Sequence, residues 1–158
     1  MKSRPERLKQ LITNLEDLIR PETYILNDNN GHLDIVEDDN LDNKGLKKVT
    51  IKGIKELYFA FKLDHKGFPF LGNLFKGGAF RKAVDAVVFC NVKGKDFIFL
   101  IEMKSKDTKG VALKYKSSKL FLAFLKSTLS EFFDSDVLDS FEVRSILFDR
   151  KPTSKGRD

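Results

Sequence analysis

Arg81-Lys82-Ala83-Val84-Asp85-Ala86-Val87-Val88-Phe89-Cys90, then a Lys93-Gly94-Lys95-Asp96 turn, then Phe97-Ile98-Phe99-Leu100-Ile101-Glu102-Met103-Lys104, reads as a β-hairpin. Side chains alternate across a strand, so Glu102 and Lys104 share a face with Ile98 and Leu100, while Asp85 shares one with Ala83, Val87 and Phe89. Apart from these ionisable groups both faces of both strands are apolar, which predicts a central hairpin covered on each side. Asp85, Glu102 and Lys104 are thus carried into a mostly buried layer, where a charge is costly unless it is paired or binds a metal.

Two readings follow from the residues. In the first, Glu102 and Lys104 lie where the strand emerges into solvent, and Asp85 forms a structural salt bridge with Lys104. In the second, the two carboxylates are hard oxygen ligands for Mg²⁺ or Mn²⁺, and Lys104 orients or polarises a water beside a scissile phosphate.

An aspartate on one strand and an acid-x-Lys on the next, followed by a helix, resembles the PD-(D/E)xK, or restriction-endonuclease-like, nuclease superfamily. Asp85, Glu102 and Lys104 match its three motif positions. Val84 stands where the family often has Pro, and Lys119-Leu120 where it often has Gln-Leu. The resemblance implies an α/β fold with an αβββαβ core, in which a central mixed sheet is flanked by helices. It also implies Mg²⁺ or Mn²⁺ as cofactor, with Asp85, Glu102 and the Met103 backbone carbonyl as ligands. Some members place an extra acid on the first helix, which makes Glu16 a further candidate. The implied function is phosphodiester hydrolysis in nucleic acid, DNA before RNA. A structure-selective nuclease or a helper in restriction, repair or defence would fit, as a homodimer or within a larger complex. A catalytically silent subunit that holds nucleic acid or a protein partner on the same fold is the rival.

Composition is compatible with both. The chain has 158 residues, 41% of them hydrophobic, and a net charge of +6. That length predicts one domain, over 1–149, with a polar flexible tail at 150–158. Residues Lys76 to Lys126 hold twelve basic side chains against four acidic ones, net +8, whereas Asn27 to Asp42 holds six acids and no Lys or Arg. Positive charge around the proposed site favours an anionic partner. Candidate phosphate contacts are Lys82, Lys106, Lys116, Lys119 and Lys126. Cys90, the one cysteine, excludes an intrachain disulfide and reads as a small buried hydrophobe. No apolar run suggests a signal peptide or membrane span, so a cytoplasmic protein without membrane contact is expected. With only His32 and His65, and without Walker, EF-hand or hydrolase-triad spacing, other hydrolytic and nucleotide-binding chemistries fit worse.

Around the hairpin, Ser3-Arg4-Pro5-Glu6 predicts a capped helix whose apolar residues recur from Leu8 to Ile19, with Pro21 as the stop. Asn27 to Gly45 reads as an acidic, solvated hairpin or loop. Val49–Ile51 and Leu57–Leu63 read as strands. The Gly-rich 64–78 segment reads as a loop packed by its own aromatics, with a flap over the substrate groove as the alternative. Asp107 or Thr108 is expected to cap a helix over 111–133. Its apolar stripe would be Leu113, Leu120, Phe121, Phe124, Leu125, Leu129 and Phe132. Phe141–Phe148 is the last expected strand.

Overall fold

The computed structural model describes residues 1–37, 48–68, 74–104 and 108–149. It is a mixed α/β structure. Helix α1 (Arg4–Leu18) is followed by a short strand pair, β1 (Leu33–Val36) and β2 (Lys48–Ile51). Then come β3 (Glu56–Lys62), β4 (Ala86–Val92) and β5 (Lys95–Lys104), helix α2 (Val111–Phe133) and β6 (Glu142–Asp149). The main sheet has the order β3-β4-β5-β6, antiparallel except for the β5/β6 pair. Its parallel pair is joined across α2, as such a pair requires a crossover connection.

Local chemistry accounts for the elements. At the α1 start, the Ser3 backbone N–H and hydroxyl both donate to Glu6 Oε2, at 2.7 and 2.9 Å. Lys93 and Gly94, with φ of 51° and 82°, form the two-residue loop between β4 and β5. Positive φ at both loop positions matches the right-handed twist of the strands that the loop connects.

The hairpin is central, as expected. Ala86 to Asn91 are all buried, because each face of β4 is covered by a different layer. Leu11 and Leu15 of α1 and Leu122, Leu125 and Leu129 of α2 pack with Val87, Phe89, Ile98 and Leu100. On the other face Leu33 and Ile35 pack with Ala86, Val88, Ile101 and Met103, with Val49 and Ile51 against them. The acidic segment is therefore not wholly solvated. Alternation in Leu33-Asp34-Ile35-Val36 turns Leu33 and Ile35 inward, while Asp34 outside meets Lys48 at 2.8 Å and Thr50 at 2.6 Å. Residues 38–45 of the segment lie outside the described residues, as does the 150–158 tail.

Helix α2 has the expected span but a different buried face. Val111, Ser117, Ser118, Leu122, Leu125 and Leu129 are buried, whereas Leu113, Leu120, Phe124 and Phe132 are exposed. Two apolar stripes run along this helix, and the inward one is polar at its start. Gly110, at φ 78°, is the N-cap, not Thr108. Asp107 lies outside the described residues. In the Gly-rich segment Phe75 and Phe80 meet edge-to-face at 5.0 Å, each still 41% exposed. Residues 69–73 there are likewise outside.

Candidate active site

Asp85 directly precedes β4 and Glu102 lies near the end of β5. Because Ala86 pairs with Ile101, the register sets Asp85 across from Glu102 on the face that the helices cover. A cleft of about 300 Å³ opens there, with Asp85, Glu102, Met103, Lys104 and Lys114 along it. Asp64, Lys62 and Lys66 reach it from the end of β3, and Val36 and Glu37 from the end of β1.

Glu102 is fully buried, which removes the reading in which it emerges into solvent. Its Oε1 accepts a hydrogen bond from Lys114 Nζ at 2.7 Å, and Lys104 Nζ stands 3.5 Å from the same oxygen. Lys104 is thus paired with Glu102, not with Asp85 as a structural bridge would require. Glu102 Oε2 is buried and has no hydrogen-bond partner. Asp85 Oδ2 accepts the Met103 backbone N–H at 2.6 Å. The short extent of that bond leaves Asp85 anchored to β5 as well as to its own strand.

Burial, and then repulsion from Glu102, push the Asp85 carboxyl up to about 7, against the pull of the Met103 N–H and Lys114. Burial opposes charge on Lys114, but Glu102, Asp85 and Asp64 outweigh it and raise the ammonium above its ordinary range. The Tyr115 hydroxyl, also buried without a partner, is pushed up to about 12 by burial and by both carboxylates. One Glu102 oxygen is therefore left without a donor beside a second, largely buried carboxylate.

A divalent cation fits this donor set. The orphaned Glu102 oxygen and the elevated Asp85 carboxyl both call for added positive charge, and carboxylate oxygen is the donor that Mg²⁺ and Mn²⁺ prefer. Among the described residues no group of three or more His, Cys, Asp or Glu side chains is gathered for a metal. Two carboxylates with water completing the shell is the usual protein share for Mg²⁺.

The structure brings Asp85, Glu102, Met103 and Lys104 together. Glu16 is elsewhere: it lines a separate groove with Ile12, Tyr24 and Leu26, beside β3. Lys82, Lys116, Lys119 and Lys126 are exposed, and Lys126 pairs with Asp139 at 2.7 Å. On a helix of 3.6 residues per turn, the three α2 lysines point roughly 120–160° around the axis from Lys114. Lys106 lies outside the described residues.

Lys114 and Asp64, like Lys62 and Lys66 along the same cleft, are not among the candidates that the sequence offers. Val111, Lys114, Ser118, Leu122, Leu125 and Leu129 follow one 3-4-4-3-4 spacing, so Lys114 shares the inward face, but the stripe through Leu113, Leu120 and Phe124 has a helical spacing of its own. Asp64 carries no such signal, since it follows β3 in the Gly-rich segment.

No protein-family model, curated protein or solved structure matches this chain. Among the described residues no helix is long and apolar enough to cross a membrane.

Proposed function

We propose that this chain is a metal-dependent nuclease with a restriction-endonuclease-like core, hydrolysing phosphodiester bonds, of DNA before RNA. The observation that carries the reading is the pair of buried carboxylates on adjacent strands, with one Glu102 oxygen unsatisfied and Asp85 pushed up to about 7, beside two lysines in an open cleft. The sheet and two helices follow one another as helix, three strands, helix, strand, the order expected for that core.

Asp85, Glu102 and the Met103 carbonyl would hold Mg²⁺ or Mn²⁺. The ion supplies Lewis-acid activation of water and neutralises charge that develops on the phosphate. Lys104, with its side chain 26% exposed, faces both the cleft and Glu102, so it can orient the attacking water or donate to a phosphate oxygen. The Met103 N–H fixes Asp85, and Ser118 fixes the preceding residue: its Oγ accepts the Val84 N–H at 3.1 Å and donates to the Lys114 carbonyl at 2.8 Å. This ties the start of β4 to the first turns of α2, so both strands meet the cleft in a set position. Exclusion of bulk water from Glu102 strengthens each electrostatic contact there.

Supercoiled, linear and single-stranded DNA and RNA, each with Mg²⁺ or Mn²⁺, test the proposal beside EDTA and Asp85→Ala controls. Cleavage that needs the ion and disappears in Asp85→Ala supports it. Intact substrates with retained gel-shift binding would move the function to the silent-subunit alternative.

A further inference from the structure

Glu102 Oε1 carries two ammonium groups while Glu102 Oε2 carries none. The nearer ammonium is not the motif lysine. Lys114 lies 2.7 Å away on α2, against 3.5 Å for Lys104, and its side chain is 17% exposed. A lysine on the first turn of a helix ordinarily extends into water, where its ammonium is strongly hydrated. Lys114 instead turns inward, since the α2 backbone at this point is held against the sheet by Ser118 and against Ala79 by the Ser117 hydroxyl, at 3.3 Å. The helix thus delivers a positive charge to the carboxylate pair by construction.

Resting on the metal-nuclease reading, we propose that Lys114 is a positioning residue: it is the resident counter-cation of the Asp85–Glu102 pair, and its charge opposes a divalent ion at that site, so that ion binding drives it off Glu102. Without an ion, Lys114 keeps two like charges tolerable in a buried layer. With one at the free Oε2 side, two positive charges would face each other across a single buried carboxylate, so the presence of Lys114 weakens ion binding and the ion favours its release from Oε1. Once released, the four-carbon stem lets Lys114 swing into the cleft it already lines, where an anionic phosphate is a replacement partner. Lys114 would then couple ion binding to substrate binding, with each favouring the other.

The test is calorimetric titration of the full chain with Mn²⁺ alone, without nucleic acid, for wild type, Lys114→Met and Lys104→Met. Lys114→Met is expected to bind Mn²⁺ at least about tenfold more tightly than wild type, and Lys104→Met to change the affinity less. Binding by Lys114→Met where wild type shows none also supports the proposal. Equal or weaker binding by Lys114→Met overturns it while leaving the nuclease reading in place. If no folded variant and no wild-type sample binds Mn²⁺, both fall. Should Lys114→Met fail to fold, Lys114→Gln, which keeps a donor for Glu102 without the charge, replaces it, and tighter binding is again the expected result.

Discussion

The β4–β5 hairpin carries a buried or nearly buried carboxylate at each end, and the two ends treat it oppositely. At the turn, Asp96 Oδ1 accepts from Arg4 at 2.8 Å, Tyr58 at 2.9 Å and Asn91 at 2.8 Å. Tyr58 reaches it because β3 is bulged between Leu57 and Phe59, a device that re-aims a side chain. At the other end, Asp85 and Glu102 face each other with one oxygen orphaned. Three donors converging on one oxygen make a structural anchor that pins α1 to the sheet. Two carboxylates held across adjacent strands, with donors on Asp85 and on only one Glu102 oxygen, leave charge and burial in opposition there, and this contrast sets the expected behaviour of variants.

The largest effects separate the two ends by activity. Asp85→Asn and Glu102→Gln should each reduce ion-dependent cleavage by roughly 10³-fold, the equivalent of several kcal/mol of lost charge stabilisation. Thermal melts in EDTA should nevertheless move in opposite directions. Asp85→Asn keeps an acceptor for the Met103 N–H and removes a like charge, so it should raise the melting temperature. Glu102→Gln strips the Lys114 ammonium of its counter-charge in a buried setting, so it should lower it. Shifts of the same sign would contradict the asymmetry.

Stability against pH sharpens the same difference. An ordinary aspartate titrates at about 3.9, and Asp85 is pushed up to about 7. Between those values the folded protein holds a proton that the unfolded chain has released. The Asp85 contribution is therefore full at the acid end, falls as pH rises towards 7 and is level above it, with a limiting slope of about 1.4 kcal/mol per pH unit. Denaturant melts from about pH 4 to pH 8, taken as wild type minus Asp85→Asn, should show that fall. Ion binding should strengthen over the same window, because the proton must leave first.

At the anchored end, Asp96→Ala should cost roughly 2–3 kcal/mol, for loss of hydrogen bonds to a charged acceptor and for the donors left behind. The expected melt is clearly lower, while cleavage per folded molecule is retained. A loss of turnover at full stability would mean that the turn end is not merely an anchor.

Much of this difference was readable from the sequence and some was not. Strand alternation placed Asp85 and Glu102 on a buried layer, and Gly94 located the turn between their strands. Both are local signals. The capped start of α1 at Ser3 and the span of α2 were equally local. The buried face of α2 was not, because Leu113, Leu120 and Phe124 form a second apolar stripe that periodicity alone cannot tell from the core. The true inward face begins with Lys114, Ser117 and Ser118, polar residues placed there by contacts to Glu102, Ala79 and Val84 that are remote in sequence. Site chemistry interrupts the core pattern at the point where the pattern was needed to find it. Tyr58 at Asp96 was hidden for a related reason, since a bulge is a property of strand pairing and not of the strand alone.

Ser118→Ala probes that interruption with a smaller effect. It leaves the buried Val84 N–H without its acceptor, at about 1–3 kcal/mol, and frees the residue next to Asp85. A hydrogen bond that only supported folding would leave turnover by the folded fraction unchanged. One that positions Asp85 should lower turnover as well, and Ser118→Thr, which keeps an acceptor, should restore more of it than Ser118→Val does.

The smallest expected effect concerns the outward lysines. Lys116 and Lys119 are exposed on the side of α2 away from Lys114, and Lys126 is engaged with Asp139. If they contact the substrate backbone, each Gln substitution should lower the slope of log affinity against log salt by about 0.9 on duplex DNA, with little change in cleavage by the bound complex. If they are a solvated face, the slope will not change. Lys62 and Lys66 line the cleft itself, so the same substitutions there should change slope and turnover together. Salt titrations of the two groups side by side decide between contact of a bound nucleic acid with the lysines along the back of α2 and its entry only through the cleft beside Asp85 and Glu102.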